Sequence, residues 1–135
     1  MMSFQEKRIL GRTGLSVGRL GISSSFGAPT DAYEEAFEKG SNYFTWGSFF
    51  RGRSSEMKTA IKNIAIKNQR DNLVVSIVSY AHNAYLTEKF FVQGLKALGI
   101  EYADVLLLGY FSKQPRRSIL EGAMRLKEKG LVRFL

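Results

Sequence analysis

Apolar runs and amphipathic stretches alternate along this chain, and the alternation predicts repeated strand–helix units. Lys7 to Leu20 reads as a hairpin, RIL and LSVGRL around the turn GRTG, with Gly11 and Gly14 bracketing polar turn residues. Arg19 to Ser23 (RLGIS) is a short strand, followed by the polar loop SSSFGAPT. Thr30 is placed to cap a helix with Tyr33, Ala36 and Phe37 on its apolar face and Gly40 as its stop. Asn42 to Trp46 is a second strand. Ser54 or Ser55 then opens a helix with Met57, Ala60, Ile61, Ile64 and Ala65 at helical spacing and Lys58, Lys62 and Lys67 on the other face. LVVSIVS, Leu73 to Ser79, is the clearest strand. Thr87 is placed to cap a third helix with the stripe Phe90, Phe91, Gly94, Leu95 and Leu98, ending at Gly99. Asp104 to Phe111 is a fourth strand. Pro115 suits the first residue of a fourth helix carrying Ile119, Ala123 and Leu126 and stopping at Gly130. VRFL then opens another apolar run.

Near-continuous apolar strands alternating with amphipathic helices, about 25 to 30 residues apart, imply an α/β fold with a parallel sheet covered by helices. Strand alternation turns Tyr43 and Thr45 inward on the second strand and Phe44 outward, beneath the helices; on the third, Val74, Ser76 and Val78 face one way and Leu73, Val75 and Ile77 the other. Both faces read as apolar, as a barrel wall requires, and the inward set reads as too large to be left in water.

Composition narrows the classes. Of 135 residues 44% are hydrophobic and only two are proline, so the chain is neither disordered nor low-complexity. No apolar run approaches the ~18 residues of a membrane span, and MMSFQEKRILGR has no apolar signal region. Without cysteine there is no disulfide, thiolate metal site or Cys nucleophile, and a cytoplasmic location fits. The net charge of +8 leaves two readings open: solvated lysines on helix faces, or an anionic partner.

Four segments carry a family likeness, in order along the chain. RILGRTGLSVGRLGIS, KGSNYFTWGSFFRGRSSE, LKALGIEYADVLLLGYF and KEKGLVRFL resemble the hairpin and the first, second, fourth and fifth strand regions of the aldo-keto reductases. The resemblance implies the N-terminal half of a (β/α)8 TIM barrel: (βα)4 plus the start of β5, spanning 1–135, with a hairpin at 7–20 and the barrel strands and helices from 19 to 135. It also implies a metal-free, NADPH-dependent reduction of aldehydes and ketones. That chemistry needs a Tyr general acid, a Lys held by an Asp that lowers the Tyr pKa, and a His that orients the carbonyl. In this sequence the Asp position is Thr45, the Tyr position Phe50, the Lys position Val78 and the His position Gly109. None of these can do the work, and losing a general acid alone costs roughly 10²–10⁴ in rate.

The resemblance further implies that most NADPH contacts come from the second half of the barrel, leaving Ser23, Ser24 and Ser25 as a nicotinamide wall here. No GxGxxG motif accompanies a strand-to-helix turn. Arg51, Arg53, Lys113, Arg116 and Arg117 fall in loops on the face where barrel enzymes place their sites, so they read either as anion-binding candidates or as a solvated basic rim. Tyr80 and His82 share that face without a carboxylate partner in sequence. Tyr43, Phe44, Trp46, Phe49 and Phe50 cluster in one segment and read as core and pocket wall, which argues against nucleic acid.

The expectation is thus a binding or structural module with a dismantled site, paired with a missing C-terminal half or with a second copy of itself. As given it needs no cofactor, and NADPH would enter only with a second half. The alternative is an oxidoreductase of that family working through an altered site or a supplied second half.

Overall fold

A computed structural model describes residues 5–47, 54–109 and 111–135. Its first element is a hairpin of β1 (Lys7–Ile9) and β2 (Ser16–Gly18), paired antiparallel with Lys7 opposite Gly18. There follow β3 (Gly21–Ser23), α1 (Thr30–Glu38), β4 (Tyr43–Trp46), α2 (Ser55–Ile66), β5 (Val74–Ser79), α3 (Ala84–Leu98), β6 (Ala103–Leu108), α4 (Arg117–Glu128) and β7 (Val132–Phe134). The five later strands form one sheet in sequential order, every neighbouring pair parallel. That is the topology of consecutive βα units.

The two faces of this sheet are covered differently. Phe44, Trp46, Val75, Ile77 and Leu106 point outward and are buried against Met57, Ile61, Phe91, Leu95 and Leu126 of the helices. Gly94 lets α3 approach closely, because a Cβ there would already touch the Trp46 ring at 3.4 Å. On the inner face the hairpin covers only the lower layer, where Leu15 and Val17 pack on Val74 and Val105, with Tyr43 and Phe134 beside them. Gly18 sits so close to the neighbouring turn that an added Cβ would lie 2.2 Å from the Gly40 carbonyl oxygen. The hairpin therefore docks through a contact only glycine permits.

Several element starts differ from the sequence expectation. Thr30 is the first residue of α1 rather than its cap, and its hydroxyl donates to the Glu56 carboxylate at 2.6 Å. α3 begins three residues before Thr87, capped by the Asn83 side chain, which accepts from the Leu86 amide at 2.8 Å. Thr87 is instead fully buried, its hydroxyl donating to the Asn83 carbonyl. Phe90 is 45% exposed, since Phe91, Leu95 and Leu98 already fill the inward stripe and Phe90 lies one helical step, about 100°, around from Phe91. Pro115 lies outside α4, which starts at Arg117 after an extended Arg116. The glycine stops hold: Gly40, Gly99 and Gly130 all have positive φ.

Candidate functional site

Above the hairpin layer, the inner face of β3 to β6 ends in a rim at the C-terminal ends of the strands, the end where such folds place their chemistry. Thr45 and Ser76 are opposite one another in register, and the Ser76 hydroxyl donates to Thr45 Oγ1 at 2.9 Å. Val78 is half-buried opposite Leu107, which is 36% exposed. Gly109 continues the pairing by donating its amide to the Ser79 carbonyl at 2.9 Å. The structure thus brings Thr45, Val78 and Gly109 to one rim, while Phe50 lies outside the described residues.

Tyr80 is the next inward residue after Val78, and its ring lies over Gly109. A Cβ at Gly109 would meet Tyr80 Cε1 at 2.9 Å and a Val78 methyl at 3.2 Å. The glycine makes room for the ring, so any larger side chain at this position must displace it. His82 is exposed beyond it. The upper inner wall is also less apolar than alternation suggests: Thr45 and Ser76 satisfy each other, and Ser23 adds a third hydroxyl.

All three serines are engaged within the fold, two of them with each other. Ser23 Oγ accepts from the Ser25 amide at 3.2 Å and pairs with Ser25 Oγ at 2.8 Å. Ser24 is buried, and its hydroxyl accepts from the Gly47 amide at 3.3 Å, joining the ends of β3 and β4. Such a serine turn is a poor fit to a dinucleotide: it carries no cation, and one of its hydroxyls serves the fold. Of the basic candidates, Lys113 and Arg116 are exposed, and Arg117 forms an ion pair with Glu121 at 3.0 Å within α4. Arg51 and Arg53 lie outside the described residues.

The densest polar network stands at the opposite, N-terminal end of the strands. Asp104, 2% exposed, accepts from the Val75 amide at 2.8 Å and from Arg70 at 3.0 Å, and meets Arg133 at 3.3 Å. Arg70 also donates to the Leu73 and Tyr102 carbonyls and stacks over the Tyr102 ring at 4.2 Å. Burial holds the Tyr102 phenol above its ordinary pKa, against the opposing pull of the Arg70 charge. Asn42, also buried, accepts from the Gly18 amide at 2.7 Å and donates to the Ser16 and Asn72 carbonyls, stitching the hairpin to the sheet. Sequence reasoning singled out neither residue. The available signal was a lone polar residue at the start of an apolar strand.

No family model matches the sequence, and no curated protein matches it. Solved structures do. Aldo-keto reductase AKR11C1 from Bacillus halodurans, in its holo form, superposes with a TM-score of 0.78 at 20% identity, over 96% of this chain and 49% of its own. A thermostable aldo-keto reductase, Tm1743, solved with the inhibitor epalrestat, gives 0.75 at 19% identity, over 95% and 52%. Aldo-keto reductase AKR2E5 of the silkworm Bombyx mori gives 0.73 at 17% identity, over 98% and 47%. At such identities the likeness concerns the fold, and the chain spans about half the length of the structures it matches. The fold is therefore α/β, the arrangement of the N-terminal half of an aldo-keto reductase TIM barrel with its N-terminal hairpin. Among the described residues no helix is long and apolar enough to cross a membrane.

Proposed function

We propose that this chain is an aldo-keto-reductase-like half barrel that has given up the NADPH-dependent carbonyl reduction of such barrels. It acts as a binding or structural module within a completed barrel. The observation that supports this most is the rim. Thr45, Val78 and Gly109 offer no titratable group, and the Tyr80 ring fills the space that a side chain at 109 would enter. Carbonyl reduction needs a proton donor with a lowered pKa and a group to orient the carbonyl, and these three positions supply neither.

Strand count supports completion of the barrel. A closed barrel of this type has eight parallel strands, and β3 to β7 supply five. Among the described residues β3 and β7 each pair on one side only. A complement of three βα units closes the sheet, whereas a second copy would bring five strands and overfill it. A C-terminal half is thus a better partner than a homodimer. A small anionic ligand would meet Lys113 and Arg116 at the start of α4, where the first turn carries no acidic residue. The module works in the cytoplasm.

A second reading keeps redox chemistry at an altered site, and the Tyr80 phenol favours it as a proton donor on the inner rim. Titrating the full chain with NADPH while following nicotinamide fluorescence separates the two. The non-catalytic reading expects no saturable change. Saturable binding that Ser23→Ala and Ser25→Ala weaken would overturn it.

A further inference from the structure

We propose that the outer face of α3 is a docking groove for a short acidic amphipathic helix of a partner protein. Tyr85, Lys89, Val92 and Lys96 recur at i, i+4, i+7 and i+11, forming a stripe about 16 Å long at 1.5 Å per residue. With Glu88, and with Arg125 of α4, they line a shallow depression of about 660 Å³ on the outside of the helix layer. The inward stripe of α3, Phe91, Leu95 and Leu98, is spent on the sheet; on the second stripe Val92 packs partly against the core, while Tyr85, Lys89 and Lys96 are exposed. α3 stands between α2 and α4, away from the open strands β3 and β7, so the groove stays accessible whatever completes the barrel.

Its chemistry is amphipathic. Tyr85 is 68% exposed, with the Lys89 ammonium 5.5 Å from its ring centroid, and Val92 forms a half-buried apolar step beside it. Around this floor the charge is one-sided. Glu88 is the one carboxylate there, and it is held by both Arg125 at 2.7 Å and Lys129 at 3.2 Å. Lys89 and Lys96 have no carboxylate within ion-pair distance among the described residues. The lining carries three cations, Lys89, Lys96 and Arg125, against one acid, a surplus of two positive charges beside an apolar strip, and Lys129 engages that acid from outside the lining. The complement is a helix with an apolar edge flanked by Asp and Glu, the helix-in-groove mode with electrostatic steering. A bare polyanion is the poorer fit, since it leaves Tyr85 and Val92 uncovered and meets the Glu88 carboxylate.

The test uses the full chain and a fluorescein-labelled peptide of about four helical turns, with leucines on one edge and glutamates flanking them. Fluorescence anisotropy is read at physiological salt, beside polyglutamate and heparin of comparable charge. The expected result is saturable binding of the peptide at least tenfold tighter than of either polyanion. Lys89→Glu combined with Lys96→Glu, and separately Tyr85→Ala, should each weaken it at least tenfold with the circular dichroism unchanged. These side chains are exposed, so the fold survives the changes. Equal binding of polyglutamate or heparin, indifference to Tyr85→Ala, or no peptide binding would overturn the proposal.

Discussion

Gly109→Ala is a single-atom probe of the rim. The added Cβ would lie 2.9 Å from Tyr80 Cε1 and 3.2 Å from a Val78 methyl, against a carbon–carbon optimum of about 3.5–4.0 Å. The φ of Gly109 is not positive, so alanine brings no backbone strain and the cost is purely one of packing. Val78 is β-branched and stiff, so the Tyr80 ring must do most of the yielding. Overpacking of this kind costs about 1–3 kcal/mol. Removing the ring by Tyr80→Ala leaves only the 3.2 Å contact, and the cost of Gly109→Ala should then fall below about 1 kcal/mol. Urea unfolding of the wild type, the two single variants and the double variant, followed by circular dichroism, gives the coupling directly. A favourable coupling of about 1–2 kcal/mol is expected, in the range of directly contacting side chains. If Gly109→Ala costs the same with and without the Tyr80 ring, the ring does not occupy that space and the argument fails.

Asp104→Ala should destabilise by about 2–4 kcal/mol, because it removes the partner of the half-buried Arg70 and leaves the Val75 amide without an acceptor. Asp104→Asn, which keeps an acceptor oxygen, should cost visibly less in the same urea titration. Asn42→Ala removes three hydrogen bonds, two to the hairpin and one to the Asn72 carbonyl, and should cost about 2–4 kcal/mol at about 1 kcal/mol per bond plus the unpaired groups. Hydrogen exchange should then localise the loss to Ser16–Gly18. The Arg125 hydrogen bond, aided by Lys129, holds the Glu88 carboxyl below its ordinary range despite the cost of burial. Its contribution to stability is therefore fully present above the pKa of an unfolded glutamate and is lost as pH falls through the lower folded value. Glu88→Gln should lower stability at neutral and alkaline pH and flatten the acid limb, the two curves converging at low pH in the same urea titration.

The architecture was legible because two periodicities carried it. Alternation separated Phe44 from Thr45 on β4, and Val75 and Ile77 from Ser76 and Val78 on β5; the structure keeps both divisions, and the register joins Thr45 to Ser76 on one face. Glycines marked helix ends reliably, since Gly40, Gly99 and Gly130 take the positive φ that other residues resist. Helix starts were harder to read. Asn83, Thr87, Thr30 and Pro115 all have the chemistry of an N-terminus, and tertiary contacts decide which of them serve. Thr87 is drawn into the core, and Thr30 is engaged by Glu56 from the next helix.

The rim was legible only in part. That Thr45, Val78 and Gly109 carry no titratable group is visible in the residues themselves. The Tyr80 ring over Gly109, the Thr45–Ser76 hydroxyl pair and the Asp104 network are contacts between different strands, which no local pattern encodes.

The proposal that the inner rim does not support carbonyl reduction can be tested directly. The most direct measurement is NADPH oxidation by the full chain over a panel of aldehydes and ketones, followed through nicotinamide absorbance, with a Tyr80→Phe variant alongside. The account predicts a rate equal to that of the protein-free control for both proteins. Turnover by the wild-type chain that disappears in Tyr80→Phe would contradict it and establish Tyr80 as the proton donor of a working site.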